Sequence, residues 1–171
     1  MNLTLVRPTV KIEKLHKDFI KEWEDNKEEI TPYAARLLDM NYEEWLDYTY
    51  KIENKDTCPS QWVSAHTYFL VLDNKKIIGA VNIRHSLNDY LFNFGGHIGY
   101  GICPSERKKG YASKMLAMSL PIAKELGIDK VLIVCDKDNL ASAKTIIKNG
   151  GVLENEVLED GELIQRYWIQ L

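Results

Sequence analysis

Residues 94–112 read FGGHIGYGICPSERKKGYA. Phe94 to Cys103 is an apolar run closed by Pro104, which predicts a strand, and its glycines at 95, 96, 99 and 101 imply that something needs room beside it. After Pro104 the period becomes helical: Tyr111, Met115, Met118, Ile122 and Leu126 fall on one side, Gly127 is the stop signal, and Pro121 is expected to bend or thin the helix. Val131 to Cys135 then reads as a buried strand. A strand, helix, strand passage of this kind demands a right-handed parallel crossover. The flanking connections suit antiparallel pairing, so the chain is expected to be a mixed α/β fold.

Upstream, Leu3 and Leu5 open a strand that Pro8 stops, and Ile12, Leu15, Phe19 and Trp23 recur at helical spacing. Thr31-Pro32 breaks that pattern, after which Tyr42, Trp45, Leu46, Thr49 and Tyr50 mark a second helix. Lys55 to Ala65 carries only loop signals. Tyr68 to Asp73 and Lys76 to His85 form a hairpin around Asn74-Lys75, and a looser segment runs to Asn93. Downstream, Asn139 to Lys148 reads as a helix ended by Asn149-Gly150-Gly151. Val152 to Val157 and Leu163 to Ile169 form a closing hairpin over Glu159-Asp160-Gly161. No repeat or linker divides the chain, so residues 1–171 are expected to form one domain.

The 171 residues are 45% hydrophobic and 27% charged, an ordinary globular composition. The formal net charge of -3 offers no whole-chain field for nucleic acid or anionic lipid, so a polyanion would need a local cluster of bases. The three cysteines, Cys58, Cys103 and Cys135, lack metal-ligand spacing, and neither a signal-like start nor a membrane-length apolar run is present. A reduced cytoplasmic setting with no metal is expected.

The local cluster exists at Ser105 to Ala112, where Arg107, Lys108 and Lys109 precede Gly110 between a strand and a helix. The first amides of a helix have no intrahelical partner, and with the macrodipole they favour an anion; Gly110 and Ala112 leave the main chain approachable. The plain alternative is a solvated basic turn. Neither Gly-x-x-x-x-Gly-Lys-Ser/Thr nor Gly-x-Gly-x-x-Gly occurs in the segment, which excludes two common phosphate loops. RNA binding fits less well, because no aromatic platform is interleaved with the bases.

Arg107 to Ala112 has the form Arg-x-x-Gly-x-Ala, preceded by Ile102-Cys103-Pro104 and followed by a helix. In this it resembles the GNAT superfamily of acetyl-CoA-dependent N-acyltransferases, whose signature is Gln/Arg-x-x-Gly-x-Gly/Ala after a strand. Asn139 to Ser142, opening a helix that closes with Lys148-Asn149-Gly150, is similar to the family's Asn-x-x-Ala/Ser helix. The resemblance covers about residues 66 to 158. Ile83-Arg84-His85 with Asn88, and Gly95 to Tyr100, look like a bacterial branch described only as predicted acetyltransferases.

The resemblance implies a GNAT-like mixed, mostly antiparallel central sheet with a parallel splayed strand pair and flanking helices. It implies acetyl-CoA as acyl donor and a primary amine of a small molecule or peptide as acceptor, with the protein a monomer or homodimer. The amides from Lys108 to Ala112, among the bases Arg107, Lys108 and Lys109 and next to Gly110 and Tyr111, would hold the CoA pyrophosphate. Main-chain groups of Ile102 and Cys103 would pair with pantetheine, and Asn139 and Ser142 would lie near its arm. Asn139 is also an ordinary helix N-cap candidate and Ser142 a first-turn residue.

An amine with a lysine-like pKa of ~10.4 is protonated at neutral pH, so transfer needs a base or a water chain. Many family members carry a general-acid tyrosine seven residues after the helix-opening asparagine; here that position is Ile146. Tyr100 is the candidate substitute, with His97, Glu106, Cys135 and Asp136 as others. Tyr100 shares strand parity with Ile102 while His97 does not. Packed or hydrogen-bonded roles are expected of His97, His85 and Cys135. Glu28, Glu29, Asp39, Glu43 and Glu44, with Tyr33, Tyr42 and Trp45, would border an acceptor cleft and could select a cation, although such charges are ordinarily a helix's wet face. Ile146 also leaves open a non-catalytic acyl-CoA-binding or sensing module.

Overall fold

The computed structural model describes residues 1–171. β1 (Leu3–Val6) leads into α1 (Glu13–Asp25), which buries His16, Phe19 and Trp23, and then α2 (Tyr42–Glu53). α2 starts in a capping box: Asn41 Oδ1 accepts from the Glu44 N–H (3.0 Å) and Glu44 accepts from the Asn41 N–H (2.9 Å). Such a cap stabilises a helix by about 1 kcal/mol. β2 (Ala65–Leu72) and β3 (Lys76–Arg84) form the expected hairpin. β2 begins at Ala65 rather than Tyr68, because Ala65 and Thr67 already alternate into the interior.

β4 (Ile98–Ile102) completes a four-stranded antiparallel sheet of order β1-β2-β3-β4. α3 (Tyr111–Glu125) continues through Pro121, and β5 (Lys130–Asp136), α4 (Leu140–Lys148), β6 (Val152–Glu159) and β7 (Glu162–Gln170) follow. These last three strands make a second antiparallel sheet of order β5-β7-β6. One apolar cluster, with Leu70, Ile83, Ile98, Met115, Ile133 and Ile146, lies under α3 and α4. The other, with Phe19, Trp23, Trp45, Phe69 and Ile77, lies under α1 and α2.

The strand expected from Phe94 begins only at Ile98. Leu91–Gly95 instead forms one wide helical turn, closed by the Gly96 N–H on the Leu91 carbonyl (2.6 Å), and Gly96 redirects the chain at φ +69°. There the two sheets meet. The His97 N–H donates to the Leu132 carbonyl (2.7 Å), and the Leu132 N–H donates to His97 Nδ1 (2.9 Å). The neighbouring Gly96–Ile133 bridge has an antiparallel pattern because the chain is still turning. Farther along, Tyr100 lies near Cys135, so β4 and β5 advance in the same sense, yet no ladder joins them. The pair is pinned at His97 and open beyond it.

The room kept by the glycine-rich strand is filled by the chain itself. A Cβ on Gly101 would strike the Thr31 carbonyl, and one on Gly99 would touch Pro32 and Arg84. No helix is long and apolar enough to cross a membrane.

Candidate active site

Gly110 is the N-cap of α3 at φ +80°, and Lys108 also has positive φ (63°). The first helical bond runs from the Lys114 N–H to the Gly110 carbonyl (3.3 Å), and the N–H groups of residues 108–113 donate to no group of the chain. Nothing stands within 4 Å of where a Gly110 Cβ would project. Consecutive unpaired amides at a positive helix end form a concavity for an anion, and they fit a diphosphate.

The side chains of the turn behave differently from the sequence expectation. Arg107 does not stand free: its guanidinium makes two bonds to Glu28 (3.0 and 2.7 Å), donates to the Ile102 carbonyl (3.2 Å) and lies 5.2 Å from the Trp23 ring centre. It fastens the turn to the segment after α1. Lys109 pairs with Glu106 (2.9 Å), which also holds Lys76 (2.9 Å), leaving Lys108 as the base of the triplet with no ion pair. The cradle is therefore made of main chain more than of charge. Tyr111 turns its ring into the core, its hydroxyl on Met1 Sδ (3.3 Å), while Ala112 is half-buried.

Cys103 needs a correction. Its N–H is committed to the Ile78 carbonyl (2.9 Å), its thiol to the Ile77 carbonyl (3.5 Å), and burial pushes that thiol up to about 12. It has no N–H or thiol to spare for a ligand. In β4 the polar groups alternate between edges: the His97 carbonyl accepts from the Arg84 N–H and the Cys103 N–H donates to the Ile78 carbonyl, both on β3, so the groups of Ile98, Tyr100 and Ile102 face the gap toward β5. The Ile102 carbonyl is taken by Arg107, which leaves its N–H.

Across the gap, the Tyr100 hydroxyl is 2.8 Å from Ser142 Oγ, and burial pushes the phenol up to about 12. Tyr100 packs in the same cluster as Ile102, as strand parity requires. Asn139 caps α4, its Oδ1 accepting from the Ser142 N–H (3.1 Å). Ile146, one turn beyond Ser142, is fully buried, and even a methyl group added at Gly151 would collide with it. That position is filled core. His97 is fixed as an acceptor by Leu132, with its pKa lowered to about 4 by burial, and the buried Cys135 thiol is pushed up by desolvation. Glu106 is held below the usual carboxylate range by its hydrogen bond from Lys109.

On the opposite face of the first sheet lies a cavity of about 520 Å³. Its walls are the segment after Thr31-Pro32, α2 and the loop carrying Trp62; its floor is Thr67, Asn82 and Arg84. Tyr33 and Trp45 border it, whereas Tyr42 is buried with its hydroxyl on the Thr9 carbonyl. None of Glu28, Glu29, Asp39, Glu43 or Glu44 lines it, which corrects the expectation of a cation-selecting cleft. Glu28 pairs with Arg107, Glu29 with Arg36 and Glu44 with its own helix cap. The charged residues at the cavity are Arg36 and Arg84. Sequence reasoning missed Arg36 and Trp62, which lie in aperiodic segments. A second polar cluster, in which His66 Nδ1 meets His85 Nε2 (2.7 Å) and Glu53 pairs with Arg7, contributes no residue to the cavity.

The model of the Acetyltransferase (GNAT) domain family matches residues 3–152. No curated protein matches the sequence. Among solved structures, a GNAT-family acetyltransferase from Streptococcus pneumoniae superposes with a TM-score of 0.69 at 17% identity, covering 99% of this chain and 100% of that one. The ribosomal-protein alpha-N-acetyltransferase RimL, in complex with coenzyme A, gives 0.68 at 17% identity over 100% and 95% of the two chains. A variant of the spermidine N-acetyltransferase SpeG from Vibrio cholerae gives 0.65 at 16% identity over 99% and 95%. With the family match spanning most of its length and the splayed sheet, open helix end and cavity in place, the chain belongs to the GNAT acetyltransferase family.

Proposed function

We infer that the chain is one GNAT-like domain acting in the cytoplasm, which moves an acetyl group from acetyl-CoA directly to a primary amine of a small molecule or peptide. The observation that carries this reading is the run of unpaired amides from residue 108 to 113 around the positive φ of Gly110. Acetyl-CoA supplies the acetyl group as an activated thioester. The amides from Lys108 to Ala112 bind its diphosphate, with Lys108 adding an unpaired charge. The Tyr100 and Ile102 N–H groups on the open edge of β4 bind the carbonyl end and stabilise negative charge as it develops on oxygen. The Tyr100 hydroxyl, kept protonated by a pKa of about 12 and oriented by Ser142, delivers a proton to the departing sulfur. The cavity across the sheet positions the amine, whose proton leaves through water.

One observation favours a second reading, a non-catalytic acyl-CoA-binding module: Ile146 fills with packed hydrocarbon the place where many family members carry an acid. Calorimetry with acetyl-CoA, followed by CoA release across an amine panel, separates the two. Acceptor-dependent release supports transfer; tight binding without release from any amine supports the module, and absence of binding removes both.

A further inference from the structure

Four of the chain's arginines have a carboxylate: Arg7 on Glu53, Arg36 on Glu29, Arg107 on Glu28 and Arg166 on Glu154. Arg84 has none. It stands at the end of β3 on the cavity floor, and its guanidinium's only protein bonds run from Nη1 to the carbonyls of Gly95 (3.2 Å) and Gly96 (2.9 Å). Its Nε and Nη2 donate to nothing in the chain, and neither is among the sealed, unpartnered atoms of the interior, so both meet open space. Burial pulls its guanidinium below the ordinary value. A largely buried cation without a counter-ion is costly, and an anion that reaches it gains a charge-assisted, forked hydrogen bond. Arg36 adds a second positive charge at the same cavity, its Nη2 only loosely held by the exposed Glu29 (3.2 Å). The rest of the wall is mostly apolar, with Met40, Trp45, Ile52 and Trp62, its other polar side chains such as Gln61 and Asn88 are neutral, and no carboxylate lines it.

We propose that the acceptor is an amine that also carries an anionic group and an apolar portion, the anion binding Arg84 with support from Arg36 and the apolar portion packing on Trp45 and Trp62. The proposal rests on the acetyl-transfer reading and adds the acceptor's chemical class to it. The same two guanidiniums disfavour an ammonium nearby, which shifts a bound amine toward its neutral, nucleophilic form. A polyamine, cationic throughout, is excluded from this cavity by the same charges.

The test uses the full-length protein with phenylalanine, leucine and methionine, each beside its carboxamide, together with aminoalkyl phosphates and spermidine. CoA release measures turnover, and quenching of tryptophan fluorescence measures acceptor binding without turnover. The anionic amine is expected to exceed its neutral partner by about 10- to 100-fold in kcat/KM or affinity, the range of a hydrogen bond to a charged group. Carboxylate against phosphate compounds tells which anion is read. Arg84→Gln and, because Arg84 also holds the Gly95 and Gly96 carbonyls, Arg36→Gln as a second variant are each expected to shrink that preference while acetyl-CoA affinity stays unchanged. Equal use of acid and amide, spermidine as the best acceptor, or acetyl-CoA binding with no binding of any anionic amine overturns the proposal. Loss of acetyl-CoA binding in the wild type overturns the transfer reading instead, and fluorescence still decides the anion site.

Discussion

Substituting Gly110 tests the anion cradle with the fold as an internal control. Its backbone lies at φ +80° and ψ 6°, which an L side chain occupies at a cost of about 1 kcal/mol, and no atom lies within 4 Å of the new Cβ. Gly110→Ala should therefore lower stability by about 1 kcal/mol, a melting shift of roughly 2–4 °C for a chain of this size, with no steric penalty in the free protein. Gly110→Asp adds a charge at the same point. At about 5 Å in water each unit charge on a diphosphate repels it by about 0.8 kcal/mol, and two together by about 1.7 kcal/mol, more where the surroundings are less polar. The carboxylate also competes for the free amides of residues 108–113, which would otherwise serve the ligand. Acetyl-CoA affinity should drop by at least about 10-fold in the aspartate variant, with both variants folded by circular dichroism and melting within a few degrees of each other. Isothermal titration calorimetry reads the result. An unchanged dissociation constant in a folded Gly110→Asp protein means that the diphosphate sits elsewhere, and the reading of the turn is then wrong.

Tyr100→Phe removes the proposed acid and its bond to Ser142; kcat should fall by about 100-fold or more with the KM for acetyl-CoA unchanged, and an undiminished kcat would clear Tyr100 of the role. Since the Tyr100 pKa is pushed up to about 12, wild-type kcat should rise with pH as the amine deprotonates and show no acid-loss limb below about pH 10, so a downturn near neutrality contradicts the assignment. Ile146→Tyr should cost about 1–3 kcal/mol by overpacking a fully buried position and should not raise turnover; a gain in rate in a stable variant would show that the site accepts a phenol. For His16 and His97, burial holds each pKa at about 4 in the folded chain, against the ordinary histidine value of 6.5. Between those values the unfolded chain binds protons that the folded chain refuses, so stability is full above pH 6.5 and drains as pH falls toward 4, by about 3 kcal/mol for the more enclosed His16. Chemical denaturation across that range measures it, and stability that stays flat from pH 7 to 5 contradicts the buried neutral rings.

The crossover from Phe94 to Cys135 was legible because it rests on a change of period, and a change of period is a local property of the sequence. The hairpins and helices followed for the same reason. Where the strand after Asn93 begins was not legible: the apolar run is continuous from Phe94, but Leu91–Gly95 closes a helical turn through the Gly96 N–H, with Leu91 packed where a Gly95 side chain would stand, and the positive φ of Gly96 then redirects the chain, so the strand begins at Ile98. The glycines announced that something needs room beside the strand, but not what: at Gly99 and Gly101 the occupant is the Thr31–Pro32 segment, a contact across some 70 residues that no spacing rule encodes. At the turn, residue type announced charge, whereas the fold spends Arg107 on Glu28 and Lys109 on Glu106 and leaves the anion to the main chain. The acceptor side was least legible, since Arg36, Trp62 and Arg84 converge from three separate segments.

The division of these groups between two faces constrains the chemistry. In the β3–β4 register, Val81 opposes Tyr100 and Asn82 opposes Gly99, so Tyr100 lies on the α3 and α4 side while Asn82 and Arg84 lie on the cavity side. A thioester held along the open edge of β4 would meet its amine from the cavity face and its proton donor from the other. Attack and departure then occur on opposite sides of the reacting carbon, and neither the amine nor its counter-charges need pass the Tyr100 hydroxyl. Gly99 permits this, because any side chain there would stand on the cavity face of the strand beside Arg84 and Pro32. The same geometry would let a chain lacking a tyrosine at position 146 place the proposed proton donor at α4: Tyr100 reaches Ser142 from the strand, one helical turn away, and the buried isoleucine is free to serve packing alone.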